Sequence, residues 1–105
     1  MLEKELQKMV LNYLLSHPIV VTAWRNDTDK TITRKYAKGS HRPKGLPDIC
    51  GMLTKGRFFC IELKVSRNKP TIEQIAFLEK IKKANGLALV AYSLEEVMSF
   101  MSLIR

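Results

Sequence analysis

The chain has 105 residues, 46% hydrophobic and 27% charged, with a net charge of +8 and a pI near 9.7. That length holds one domain with a real core, spanning 1–105, and leaves no room for a second. No apolar run nears the roughly 20 residues that cross a bilayer, and the positive excess points to an anionic partner.

Residues 1–15 alternate charged and apolar side chains, unlike a secretory leader, so a cytoplasmic protein is expected. Leu2, Leu6, Met9, Val10, Tyr13 and Leu14 recur at helical spacing and predict a helix over 2–16, stopped at His17-Pro18. An acid in its first turn, such as Glu3, complements the helix dipole. Ile19 to Trp24 is β-branched and aromatic, which predicts a strand, and the polar pair Arg25-Asn26 follows it.

From Asp27 to Pro43 the chain is polar, with only a weak alternation of Ile32, Arg34 and Tyr36 to suggest a short ribbon. Between Arg25 and Lys44 there are seven Lys/Arg against two Asp, so +5 of the +8 falls in this stretch. Long loops inside compact domains are usually functional or disordered. Arg25, Arg34, Lys35, Lys38, Arg42 and Lys44 are therefore candidate phosphate contacts on a basic insert at about 27–43. The charge lies in a Gly/Pro-containing loop and not on an amphipathic helix, which favours nucleic acid over a membrane surface. The plainer reading is a solvated loop that is basic without consequence.

Gly45-Leu46-Pro47-Asp48-Ile49 is followed by a hairpin signal, Lys55-Gly56, and by Ile61-Glu62-Leu63-Lys64. Alternation puts Phe59, Ile61, Leu63 and Val65 on one face and Phe58, Cys60, Glu62 and Lys64 on the other. A three-residue turn pairs Leu53 with Arg57 and sets Asp48 opposite Glu62, with Cβ atoms roughly 5 Å apart. Two carboxylates so close repel, and one is pushed toward its protonated form. A divalent cation removes that cost, and hard oxygen ligands suit Mg²⁺ or Mn²⁺. Lys64 on the same face would hold an attacking water or the oxygens of the transition state. The competing reading is a solvated Glu62–Lys64 pair of little worth. The same register matches Cys50 with Cys60, read as reduced, half-buried strand residues.

Thr71 caps a helix running to Asn85, with Gly86 as its left-handed stop, and Thr71-Ile72-Glu73-Gln74 reads as a capping box. Gln74 also shares a face with Phe77, Leu78 and Ile81. Leu87 to Tyr92 predicts a buried strand parallel to the 57–65 strand. Ser93 caps a last helix with Leu94, Val97, Met98, Met101 and Ile104 inward.

Pro47-Asp48 with Glu62-x-Lys64 resembles the PD-(D/E)XK nuclease signature. The fuller string, from Lys44 to Ile49, through Gly56-Arg57-Phe58 and on to Lys64, resembles its VRR-NUC branch. Gln74-Ile75-Ala76-Phe77-Leu78 and Gly86-Leu87-Ala88-Leu89-Val90 are similar to that branch's later blocks, and Glu3-Lys4-Glu5-Leu6-Gln7 to its first helix. Only the segment from about Asp27 to His41 falls outside the resemblance.

The resemblance implies an α/β, restriction-endonuclease-like α-β-β-β-α-β core, a mixed sheet flanked by helices, with an added C-terminal helix. It implies Glu3 as the active-site acid of the first helix, with Glu5 in reserve, and Gln74 as an active-site glutamine. It also implies a Mg²⁺- or Mn²⁺-dependent DNA endonuclease. Asp48 and Glu62 would be its metal ligands, with the Leu63 carbonyl a further one. Stand-alone members are similar to Holliday-junction resolvases, so branched DNA, DNA repair and a homodimer are the expectations. A flap- or nick-directed nuclease, an enzyme acting on RNA, and a catalytically weak nucleic-acid-binding module are the alternatives.

Overall fold

The computed structural model describes residues 1–26 and 43–104. Arg34, Lys35, Lys38 and Arg42, and the ribbon suggested around Ile32 to Tyr36, lie outside the described residues. The first helix, α1, runs Glu3–Leu15 and buries Leu6, Val10 and Leu14, one residue per turn along a single line. Leu11 and Tyr13 flank that line, whereas Leu2 and Met9 are exposed. The apolar stripe is thus narrower than the periodicity predicts, because only its central line meets the sheet.

Among the described residues the sheet has four strands in the order β1 (Val20–Arg25), β2 (Ile49–Leu53), β3 (Phe58–Leu63) and β4 (Leu87–Ala91). β1, β2 and β3 are antiparallel neighbours, and β4 is parallel to β3. The β1–β2 register shifts between Val20 and Thr22, which leaves Val21 as an exposed extra residue on an edge strand. Thr54–Gly56 forms the three-residue turn of the β2–β3 hairpin, with Lys55 and Gly56 both at positive φ.

α2 (Ile72–Lys83) connects the parallel pair and α3 (Leu94–Ser102) follows β4. Thr71 Oγ1 accepts from the Gln74 N–H at the start of α2, and Ser93 Oγ from the Glu96 N–H at the start of α3. Beyond α2 the left-handed residue is Asn85 at φ 70°, not Gly86. Asparagine tolerates that conformation. Gly86 is there for space: a Cβ would approach Ile81 Cγ2 to 2.6 Å.

The sheet separates two apolar layers. On one side Phe59, Ile61 and Leu63 pack with Leu6, Val10 and Leu14 of α1 and Val97 and Met101 of α3. On the other, Cys50, Cys60 and Ala88 pack with Leu78 and Ile81 of α2. Met98, expected inward, is exposed, and Phe100 packs against the first cluster instead. A fully buried Leu or Ile contributes about 1.5–3 kcal/mol, so the α1–β3 seam is where the hairpin is held.

Candidate active site

The register of the hairpin builds the site. Cys50 faces Cys60 and Ile49 faces Ile61, while the Leu53 N–H donates to Arg57 O at 2.8 Å beside the turn. One residue beyond Ile49–Ile61, this pairing sets Asp48 opposite Glu62, as the three-residue turn requires. On the other side of Asp48, the Asn26 N–H donates to Asp48 O at 2.8 Å. Across β3, Glu62 pairs with Val90. Asn26, Asp48 and Glu62 therefore form one polar row across the end of the sheet.

Short hydrogen bonds fix that row. Asp48 Oδ2 accepts from the Leu63 N–H at 2.8 Å, and Glu62 Oε1 accepts from the Asp48 N–H at 3.2 Å. Glu62 Oε2 accepts from Gln74 Nε2 at 2.9 Å and pairs with Lys64 Nζ at 3.3 Å. Glu62 is 1% exposed, and among the described residues no buried side-chain nitrogen or oxygen lacks a partner. A buried carboxyl is tolerable only on those terms.

Gln74 fills two roles at once. Its Oε1 accepts from the Thr71 N–H at 2.7 Å, completing the capping box, while its Nε2 reaches Glu62. The start of α2 is thereby tied to the end of β3. Gly45, at φ +75°, lies directly against this first turn, where a Cβ would overlap the Glu73 carbonyl.

The third acid comes from the opposite layer. Carboxylate oxygens of Glu3, Asp48 and Glu62 all lie within 4.8 Å of one another. Glu5 is exposed, and its Oε2 accepts from the Leu2 N–H at 3.3 Å, so it serves the start of its own helix. Burial is the main force raising the Glu62 carboxyl to about 7, reinforced by the Asp48 charge and opposed by Lys64. Burial also raises Asp48; the Leu63 N–H opposes this and the Glu3 charge adds to it. Both carboxyls of the pair are thus pushed toward the protonated form.

Three carboxylates are a hard, all-oxygen donor set, suited to a hard divalent cation and not to a softer metal. Cys50 and Cys60 stand apart as free, buried thiols, and burial pushes Cys60 up to about 12. Leu63 contributes its N–H to Asp48. Of the expected basic contacts, Arg25 ends β1 and Lys44 lies in the segment leading to Asp48, both exposed. Lys44 lines an open cleft with Gly45, Thr71 and Gln74, and Gln74 in turn bonds Glu62.

Sequence reasoning missed the part played by Asn26. Its Nδ2 donates to Pro47 O at 2.8 Å and to Cys50 Sγ at 3.2 Å, and its Oδ1 accepts from Trp24 Nε1 at 3.1 Å. The available signal was the period of two, which puts residues 24 and 26 on one face of β1.

The mixed sheet between helices is the fold class that the motif resemblance implies, and the acids converge at one end of it. A solved structure described as a VRR_NUC domain protein is similar to this chain with a TM-score of 0.70 and 19% identity, over 97% of this chain and 86% of that one. The likeness shows that the fold is shared, and it agrees with the motif resemblance. No protein-family model matches the sequence, and no curated protein matches it.

Proposed function

We propose that the protein is a divalent-metal-dependent endodeoxyribonuclease that selects DNA by its structure, cutting branched DNA of the Holliday-junction kind as a homodimer. The observation that carries the nuclease reading is the meeting of Glu3, Asp48 and Glu62 within 4.8 Å, with Lys64 and Gln74 both on Glu62. The junction preference and the dimer rest on the motif resemblance.

Asp48 and Glu62 would hold the cation, with Glu3 and the Leu63 carbonyl as further ligands. Bound there, Mg²⁺ or Mn²⁺ would acidify a water and stabilise charge on the phosphate. Lys64 Nζ lies 3.3 Å from Glu62 Oε2 and, with the acids occupied by the cation, would orient the attacking water or a phosphate oxygen. Gln74 fixes the Glu62 carboxylate through Nε2. Arg25 and Lys44 supply exposed positive charge on the segments flanking the acids, and Arg34, Lys35, Lys38 and Arg42 of the insert are proposed to extend the phosphate contacts.

The test is cleavage of a labelled panel of junction, flap, nicked, fully paired and RNA substrates in Mg²⁺, Mn²⁺ or EDTA, with sedimentation of the free protein. Metal-dependent cutting of junctions by a dimer is expected. A monomer that cuts flaps or nicks equally well would overturn the resolvase reading alone. No cleavage of any substrate with either ion would overturn the nuclease.

A further inference from the structure

Among the described residues, Trp24 belongs to neither core cluster. It pairs with Cys50 across β1–β2, so it projects from the same side of the sheet as Cys50, Asp48 and Glu62. α2 covers that side over β3 and β4, and beyond its edge Trp24 is 43% exposed. Val20 and Ala23 of the same strand pack into the core cluster on the other side. Among the described residues the indole is held by a hydrogen bond and belongs to neither apolar cluster: Nε1 donates to Asn26 Oδ1, and Asn26 is fastened to Pro47 O, Cys50 Sγ and the Asp48 carbonyl. The ring's one polar atom is thus satisfied within the protein, leaving apolar faces to solvent.

The register also sets where Trp24 stands relative to the acids. Its position in β1 is diagonal to Asp48, a separation of roughly 7–8 Å between the two residue positions, about one nucleotide along an unstacked strand. Arg25, next in sequence, is exposed at the end of β1 but projects from the opposite face, and the chain carries +8 overall.

From this we infer that Trp24 is a stacking platform for an unpaired base next to the phosphodiester held at the acids. The inference rests on the nuclease reading and deepens it: the preferred substrate is DNA with an unstacked nucleotide at the cut, as at a branch point. An aromatic face takes any base, since every base has a π-surface, so the platform reads openness and not sequence. Asn26 is its positioning residue, joining the ring to the peptide that carries Asp48.

The chain has one tryptophan, so intrinsic fluorescence reports this site alone. Forked DNA and a fully paired duplex of equal length are titrated in EDTA, following tryptophan emission and, in parallel, the anisotropy of labelled DNA. Forked DNA is expected to quench Trp24 strongly and duplex little. Trp24→Leu should weaken forked-DNA binding by about fivefold to a hundredfold, the range for one stacked base, with duplex binding barely changed. Trp24→Phe should recover part of the preference, and thermal melting checks that each variant is folded. Binding or cleavage of forked DNA with no change in emission, or a Trp24→Leu protein with the same preference, overturns the platform and leaves the nuclease intact. Loss of all DNA binding and cleavage in the wild-type protein overturns both.

Discussion

Glu62–Lys64 at the end of the hairpin and Glu79–Lys82 on the outer surface of α2 are separated by 3.3 and 3.4 Å. The outer side chains are each 54% exposed, whereas Lys64 and Glu62 are 13% and 1% exposed. Water solvates the outer partners whether they touch or not, so their contact contributes a few tenths of a kcal/mol. At the hairpin that solvation is gone, and Asp48 and Glu3 crowd the same oxygens. One lysine cannot balance three acids. Separation alone therefore says little about an ion pair; the charge excluded from water beside it decides whether the pair is decoration or part of a site.

The sharpest way to break that contrast is to neutralise one acid in each region. Asp48→Asn or Glu62→Gln should lower turnover by at least about a hundredfold, the loss of several kcal/mol of charge stabilisation, and should weaken Mn²⁺ binding in calorimetry. Glu79→Gln should change neither. A Glu62→Gln protein that still cuts at the wild-type rate would remove Glu62 from the chemistry.

Stability against pH separates the regions next. Folded Glu62 keeps its proton to about 7, while its ordinary value is 4.5. Between those values the folded state holds more protons than the unfolded chain, so this contribution is complete below 4.5 and is lost as pH rises through 7. Metal-free protein should melt several degrees lower at pH 8 than at pH 5, at roughly 4–8 °C per kcal/mol for a domain of this size. Mg²⁺ or Mn²⁺ should restore the loss, and Glu62→Gln should flatten the profile. An unchanged profile in Glu62→Gln would show that its carboxyl is not held protonated.

Gln74→Glu keeps an oxygen acceptor for the Thr71 N–H but sets a fourth carboxylate at the site, against Glu62. We expect a roughly tenfold change in metal affinity or turnover, in the range for groups that orient a ligand, and little change in helix content by circular dichroism. Wild-type activity would leave Gln74 as a cap alone. The smallest effect belongs to the outer pair: Lys82→Ala should shift stability by less than about 0.5 kcal/mol in a urea melt.

The hairpin was legible because its constraints are local. A period of two, a three-residue turn and Lys55-Gly56 fix which residues oppose which, and Asp48–Glu62 follows. Helix ends with side-chain caps, at Thr71 and Ser93, were legible for the same reason. Choosing between Glu3 and Glu5 was harder, because both suit a first turn. Only the packing of α1 on β1 and β3 brings Glu3 to the hairpin, while Glu5 bonds back to Leu2. The period of two places Asn26 on the face of Trp24, but the bonds of Asn26 to Pro47 and Cys50 were illegible, because β1 meets β2 across the long insert and sequence spacing carries no register between them. Met98 and Met101 were indistinguishable by composition, and the tilt of α3 buries only the second.

Gly45 gives the site an unusual genetic profile. It has no side chain to bind a metal, move a proton or touch DNA. Yet even a methyl group at this position would collide with the Glu73 carbonyl and prise the first turn of α2 from the segment that leads to Asp48. That would draw Gln74 from Glu62 while every ligand stayed in the sequence. In a mutational scan scored by activity, Gly45 should be as intolerant as the acids themselves, so a residue without chemistry would rank among those that perform it.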